Sequence, residues 1–119
     1  MQESGEMYLE TILILSQQLE TIHAVDVCTY MNFSKPSVSR ALNILKEEEY
    51  ITIDDESHIH LTKKGKKLAE KVYETHKLLT ELLISLGVSE KTASGDSCKM
   101  EHDISDESIK AIKKYMGKK

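Results

Sequence analysis

Residues 33–48 carry the most constraining local pattern of the chain, a turn that leads directly into an amphipathic helix. Ser34 is a favourable N-cap, and Pro36 suits the first helical turn because its missing N–H group needs no partner there. Apolar residues then recur at the i, i+3, i+4, i+7 spacing of a helix with one buried stripe: Val38, Ala41, Leu42 and Leu45. The segment therefore predicts a helix over 34–48 with one face in a core.

The opposite face of this helix carries short hydrogen-bonding side chains and one arginine: Ser37, Ser39, Arg40 and Asn43. These residue types read base edges in the major groove of DNA. A solvated polar face without a partner has the same composition, and the segment by itself does not distinguish the two interpretations. Its neighbours in the chain favour the first.

Two helices are predicted before this segment, over residues 4–20 and 23–31. Ser4 is the expected cap of the first helix, and its apolar stripe runs through Leu9, Ile12, Leu13, Ser16 and Leu19. The second helix points Val27 and Met31 inward. A helix, a short turn and a helix with a polar face form the helix-turn-helix pattern.

Residues 50–61 change to the period of a β-strand, with Ile51 and Ile53 alternating with polar residues on one side of an acidic stretch and Ile59 and Leu61 on the other. This pattern predicts a β-hairpin, the wing of a winged helix-turn-helix. His58 and His60 lie one strand repeat apart and face the same side. We do not expect a metal site there, because the hairpin offers no third ligand at a fixed spacing.

The rest of the chain predicts three helices, over 63–86, 90–102 and 106–116, the first of them leucine-rich towards its end. The expected fold is mainly α, with a winged helix-turn-helix DNA-binding domain over 1–71 and a helical metal-binding and dimerisation domain over 72–119. No apolar run approaches the ~20 residues of a membrane span, so we expect a soluble, cytoplasmic protein without a membrane partner. Two cysteines in such a chain do not indicate disulfides.

Charge is distributed unevenly along the 119 residues, whose net charge is −4. Residues 1–61 hold three basic side chains against eleven acids, and residues 62–119 hold thirteen against nine. The strongest basic patch, expected to lie near a DNA backbone, is Lys63, Lys64, Lys66 and Lys67.

Cys98, Glu101 and His102 lie at i, i+3 and i+4, so a helix would point all three from one face. Thiolate, carboxylate and imidazole form a ligand set for transition metals, and His76 on the leucine-rich helix is a candidate further ligand. The alternatives are a solvated polar face with an incidental cysteine, or a catalytic pair of Cys98 and His102. We do not expect an enzyme, because nothing in the sequence suggests an oxyanion-binding context.

Several motifs together resemble the diphtheria toxin repressor family of iron- or manganese-dependent transcriptional repressors. The resemblance covers nearly the whole chain, in order, through residues 6–12, 34–39, 61–65, 76–79, 98–102 and 105–107. It implies a homodimer that binds a double-stranded DNA operator when a divalent metal ion is bound. It also implies a primary metal site of Met7, Cys98, Glu101 and His102, and a weaker second site of Glu10, His76 and Glu101. The implied DNA-binding residues are Ser34, Lys35, Pro36, Ser37, Ser39 and Arg40.

The chain departs from both branches of that family. Its length resembles the short manganese-dependent members without an SH3-like domain, whereas Met7 and Cys98 resemble the iron-type site. Thr80 and Ser94 replace an acid and a histidine of the iron-type second site. Because sulfur ligands suit Fe(II) better than Mn(II), we expect an Fe2+-responsive repressor of metal-uptake genes, with Zn(II), Co(II) or Ni(II) competing in vitro. The alternatives are an Mn(II)-responsive repressor, a redox regulator that uses the Cys98 thiol, and a metal-binding adaptor whose winged helix contacts proteins.

Overall fold

The computed structural model describes residues 3–117, which form six helices and one two-stranded antiparallel sheet. The prediction of a mainly α fold is confirmed. The chain divides into two compact units between Glu70 and Lys71. The elements are α1 (Glu3–Ser16), α2 (Ala24–Met31), α3 (Lys35–Glu47), β1 (Ile51–Ile53), β2 (Ile59–Leu61), α4 (Lys63–Ser85), α5 (Glu90–Met100) and α6 (Asp106–Tyr115).

The first unit has a core built from the inner faces of α1, α2, α3 and the hairpin. On α3 the predicted stripe is buried at Val38, Leu42 and Leu45, and Ala41 is half-buried. The turn before α3 is tight because Asn32 adopts a left-handed conformation (φ 56°) that asparagine tolerates well. The helix-turn-helix prediction is therefore confirmed.

The hairpin pairs Ile51 with Leu61 and Ile53 with Ile59, so both strands send alternate residues into the core. It is tied to the helices by a hydrogen bond from the Ile59 N–H to the Ile22 carbonyl (2.8 Å). Gly65 at the start of α4 lies against the Tyr50 backbone, where an added Cβ would collide with the carbonyl oxygen. The wing is thus anchored to the rest of the first unit through β2 and through Tyr50, the residue before β1.

The first helix is shorter than predicted, because α1 ends at Ser16 rather than at residue 20. The Gln17 and Gln18 N–H groups donate to carbonyls three residues earlier, which tightens and ends the helix. The chain then turns so that Ile22 can pair with the hairpin, and Leu19, predicted to be inward, is 39% exposed. Ser4 lies inside α1 and is not its cap.

The second unit contains α5, α6 and the part of α4 from Lys71 onward. Ser89 and Ser105 cap α5 and α6, each accepting a hydrogen bond from the backbone N–H three residues later. Its buried apolar side chains are Val72, Leu78, Leu79, Ala93 and Ile109. None of the helices in residues 3–117 is both long and apolar enough to cross a membrane.

Candidate metal centre

In the second unit, α4 and the end of α5 bring three metal-binding side chains together: His76, Cys98 and Glu101. One ligand atom from each lies within 4.8 Å of the others. The His76 Nδ1 atom lies 2.7 Å from a Glu101 carboxylate oxygen and 3.8 Å from the Cys98 sulfur. His76 lies 22 and 25 residues before its two partners, and packing of the helices brings them together. The spacing of residues along the sequence therefore could not predict these contacts.

Local structure explains how Cys98 and Glu101 share one face. Cys98 lies in the last turn of α5, and Glu101 is the C-cap residue, whose N–H still donates to the Ser97 carbonyl (2.9 Å). The predicted helix continued to residue 102, whereas α5 ends at Met100 and His102 lies in the turn that follows. The His102 Nε2 atom lies 3.4 Å from a Glu101 carboxylate oxygen, so His102 adjoins the cluster through Glu101.

Burial differs among these side chains. The Glu101 and His102 side chains are each 1% exposed, His76 is 19% exposed, and Cys98 is exposed to solvent. A buried carboxylate needs compensating positive charge or donors, and imidazoles or a cation supply them. Thiol, imidazole and carboxylate within one small volume also fit a divalent transition metal ion in donor chemistry and spacing.

The predicted DNA-binding face of α3 is solvent-accessible. Ser34 caps the helix by accepting from the Ser37 N–H (3.4 Å), and Arg40 reaches back to the Ser37 hydroxyl (3.5 Å). Ser37 is half-buried, and the other predicted contact residues are exposed: Ser34, Lys35, Pro36, Ser39 and Arg40. The face therefore offers hydroxyl and guanidinium donors at the start of one helix.

Comparisons with known proteins agree with this arrangement. Residues 1–59 match the family model described as iron dependent repressor, N-terminal DNA binding domain, and residues 62–119 match its metal binding and dimerisation domain. The chain belongs to the iron-dependent repressor family. The resemblance inferred from the sequence motifs is thereby confirmed, and the family consists of metal-dependent, DNA-binding transcriptional regulators.

Individual relatives place the chain within this family. It is 33% identical to an uncharacterised HTH-type transcriptional regulator of Methanocaldococcus jannaschii, over 99% of this chain and 96% of that protein. It is 31% identical to the transcriptional regulator MntR of Escherichia coli O157:H7, over 93% of this chain and 72% of that one. The structure of the manganese regulator SloR superposes with a TM-score of 0.85 at 29% identity, over 95% of this chain. The chain spans about half (53%) of the SloR chain.

Two predicted ligands of this family member, Met7 and Glu10, lie on α1 in the first unit. Met7 is 37% exposed, and Glu10 is half-buried. Their participation in a metal site stays a prediction.

Tyr8, the neighbour of Met7, packs against the turn of the helix-turn-helix. Its ring lies 6.0 Å from the ring of Phe33 in the turn before α3. Burial raises the pKa of Tyr8, the nearby Cys28 thiol adds to the rise, and Arg40 opposes it. α1 is therefore coupled by packing and charge to the residues that present α3.

The basic patch at the start of α4 is partly used within the fold. Lys64 donates to the Glu48 carbonyl (2.9 Å), and its ammonium lies 4.1 Å from the centre of the Tyr50 ring. Lys63, Lys66 and Lys67 are exposed. These three lysines are the candidates for contact with a DNA backbone.

Sequence reasoning missed one polar cluster, at the hairpin. The Asp54 Oδ2 atom lies 2.9 Å from His60 Nε2 and 3.5 Å from His58 Nδ1, so the hairpin does bring a third potential ligand to its two histidines. The hydrogen bond with His60, followed by that from the His58 N–H, lowers the pKa of Asp54 to about 2. The sequence interpretation did not consider Asp54, the residue that opens the turn, and the expectation that the hairpin holds no metal site stays a prediction.

Proposed function

We propose that this chain is a metal-activated, DNA-binding transcriptional repressor that responds to Fe(II) and controls genes for metal uptake. The observation that carries the proposal is the cluster of sulfur, nitrogen and oxygen donors in the second unit, formed by His76, Cys98 and Glu101 within 4.8 Å of one another. It occurs in a chain whose first unit exposes a polar helix of the helix-turn-helix type. A metal-sensing site and a DNA-binding surface are the two parts that such a repressor needs.

The proposed primary ligands are Met7, Cys98, Glu101 and His102, and the proposed second site uses Glu10, His76 and Glu101. The short contact between His76 and Glu101 (2.7 Å) supports a shared carboxylate, because Glu101 has two oxygens and each can serve one site. The 3.8 Å separation of the Cys98 sulfur from His76 supports two adjacent sites, because it brings one ligand of the primary site close to one ligand of the second. Both sets include ligands from each unit, as the family resemblance implies.

Ligand chemistry favours Fe(II) over Mn(II). Cys98 supplies a soft thiolate and Met7 a thioether, whereas Mn(II) prefers carboxylates, carbonyls and water. Zn(II), Co(II) and Ni(II) follow Fe(II) in the general affinity order and are expected to compete in the test tube. Mn(II) is the second candidate, since MntR and SloR, the latter named as a manganese regulator, are among the similar proteins.

The proposed regulation is a selection between arrangements of the two units. Glu101, the Cys98 thiolate and Met7 can coordinate one ion together only in one arrangement of the two units, so the bound ion selects that arrangement. In a homodimer, that arrangement fixes the separation of the two copies of α3. Half-sites on DNA must lie about 34 Å apart, or a multiple, for two such helices to enter successive major grooves.

Residues at the start of α3 are proposed to make the DNA contacts. Arg40 can pair with the base edge of a guanine, and Ser34, Ser37 and Ser39 can donate to bases or phosphates. Pro36 offers an apolar surface to thymine methyl groups, and Lys35 lies where it can reach a phosphate. Since the first 61 residues hold only three basic side chains, we expect a shallow dependence of affinity on salt unless the lysines of α4 contribute.

The decisive experiment is an anaerobic fluorescence-anisotropy titration on a palindromic operator from the neighbouring promoter, with Fe(II), Mn(II), Zn(II) or a chelator. Binding that appears with Fe(II) at lower concentration than with Mn(II), and disappears with chelator, is the expected result. Activation by Mn(II) at equal or lower concentration would establish the manganese alternative. Equal affinity for the operator with chelator present would rule out metal activation and favour the redox regulator that uses Cys98.

Variants test the ligand assignment within the same experiment. Cys98→Ala and Met7→Ala should each abolish activation by Fe(II) or raise the required concentration at least about tenfold, as loss of a ligand does. Cys28→Ala is the matched control, because Cys28 is the other cysteine and is half-buried in the first unit. Unchanged activation in either ligand variant would show that the assignment is wrong.

A further inference from the structure

Three of the five histidines of the chain lie close to the hairpin turn of the wing, far along the sequence from the cluster in the second unit. The hydrogen bond from the Ile59 N–H to the Ile22 carbonyl brings the segment before α2 against β2. As a result the rings of His23 and His58 pack edge to face, with their centres 4.7 Å apart. His60 follows on the same side of the strand.

An aspartate faces this group from the start of the hairpin turn. The Asp54 Oδ2 atom lies 2.9 Å from His60 Nε2 and 3.5 Å from His58 Nδ1. Ligand atoms around a tetrahedral zinc ion lie about 3.3 Å apart, given bonds of about 2.0 Å. The two Asp54 contacts have separations of this kind, whereas the ligand atoms of Asp54, His58 and His60 do not all lie within 4.8 Å of one another. The His60 side chain is 56% exposed, so its rotation would bring the ring nitrogen to an ion held by the other two residues.

We propose that Asp54, His58 and His60 form a binding site for a divalent transition metal ion such as Zn(II), with His23 beside it as a candidate fourth ligand. Two imidazoles and a carboxylate are a borderline donor set without sulfur, which suits Zn(II), Ni(II) or Cu(II) better than Mn(II). The site lies wholly in the first unit. It does not depend on the function proposed above.

The turn itself accounts for only one of the two Asp54 oxygens. Oδ1 accepts hydrogen bonds from the N–H groups of Glu56 and His58, both 2.9 Å, and this closes the loop. Oδ2 takes no part in those bonds and faces the histidine rings. The simplest competing explanation is an ion pair between Asp54 and His60 that only stabilises the wing, and it makes different predictions about metal uptake.

A cation at this place would change the charge of the wing. The tip carries Asp54, Asp55 and Glu56, and all three are exposed. The first 61 residues hold eleven acids against three basic side chains, which is unfavourable next to a DNA backbone. A bound divalent ion offsets two of these negative charges where the wing is most acidic.

The test uses the full chain with the cluster of the second unit disabled by His76→Gln and Cys98→Ser. Calorimetric titration with Zn(II) should show one ion bound per chain in this background. Adding Asp54→Asn or His60→Val should weaken that binding at least tenfold. Asn keeps the oxygen that closes the turn, and valine suits an exposed strand position, so circular dichroism should show both variants folded.

Asp55→Asn is the matched control, because it removes a neighbouring exposed acid and should leave Zn(II) affinity unchanged. NMR of the wild-type chain provides a second readout, in which Zn(II) should shift the ring resonances of His58 and His60. The proposal is overturned if the background variant takes up no ion. It is also overturned if Asp54→Asn and His60→Val bind Zn(II) with the affinity of the background variant and Zn(II) does not shift the ring resonances of the wild type. Either result leaves the ion pair as the whole role of these residues.

Discussion

Two carboxylate–imidazole pairs of almost equal length lie in very different surroundings. His76 and Glu101 are 2.7 Å apart with side chains 19% and 1% exposed, whereas His60 and Asp54 are 2.9 Å apart with side chains 56% and 42% exposed. A buried charge depends on its partner, because water cannot replace the lost contact. An exposed pair is screened and contributes little. The two pairs are therefore alike in distance, and the difference in burial indicates that the fold depends on the pair of His76 and Glu101.

The two clusters also differ in how the sequence holds them. Cys98 and Glu101 are held by the end of one helix, and His76 by a helix of 23 residues, so all three ligand positions rest on helical backbone. Asp54, His58 and His60 are held by a turn of a two-stranded sheet. A rigid set can select among metals by geometry, whereas a set on a hairpin adapts to the ion it meets.

The largest expected effect comes from breaking the buried pair. Glu101→Ala should lower the free energy of unfolding by about 3 kcal/mol, the low end for removing one partner of a buried pair. It should also abolish metal-activated DNA binding. Urea denaturation with chelator present measures the first effect separately from metal binding.

Two variants serve as the comparison for Glu101→Ala. Asp103→Ala removes an exposed acid in the same turn, and Asp54→Asn breaks the exposed pair on the hairpin. Both should unfold at nearly the wild-type urea concentration. Equal loss of stability in Asp54→Asn and Glu101→Ala would contradict the distinction drawn from burial.

A smaller effect is expected from making the two clusters chemically alike. Cys98→Asp replaces the thiolate by a carboxylate, so the cluster of the second unit keeps only nitrogen and oxygen donors, as on the hairpin. The preference for Fe(II) over Mn(II) should fall about tenfold, because Mn(II) favours carboxylates. The ratio of metal concentrations that half-activate operator binding measures this preference.

Cys98→Ser provides the control for that substitution, since it removes the sulfur without adding a charge. It should weaken activation by both metals and leave their ratio closer to the wild type than Cys98→Asp does. An unchanged ratio in Cys98→Asp would mean that the Cys98 sulfur does not determine the choice between the two metals.

Local sequence patterns predicted the elements well where capping and periodicity agree. The start of α3 followed from Ser34 and Pro36, and its buried face from the spacing of Val38, Leu42 and Leu45. The end of α1 was missed, because residues 17–20 contain no helix breaker and the end is set by the contact of Ile22 with the hairpin. Long-range pairing overrode local preference there.

The sequence predicted which residues are candidate ligands, but it did not predict which of them contact one another. Cys98 and Glu101 share a face by their spacing, whereas the contact of His76 with both requires two packed helices. On the hairpin, Ser57 adopts a left-handed conformation (φ 64°) that no glycine signalled. That turn carries the chain back so that Asp54 meets His58 and His60.

The smallest effect concerns the charge of Asp54, and NMR can follow it directly. The pKa of Asp54 is lowered from 3.8 to about 2, chiefly by the hydrogen bond with His60. Because the folded pKa lies below the unfolded value, the contribution to stability is complete above about pH 3.8 and is lost as the pH falls through about 2. The carboxyl carbon resonance of Asp54 should accordingly remain that of a carboxylate at pH 3 in the wild type. In His60→Val it should titrate at a higher pH, partway back towards 3.8, since the backbone hydrogen bonds remain. An unchanged midpoint would show that the backbone hydrogen bonds of the turn, and not His60, keep this carboxylate ionised. The exposed and the buried pair would then share a similar interatomic distance and no similar electrostatic effect.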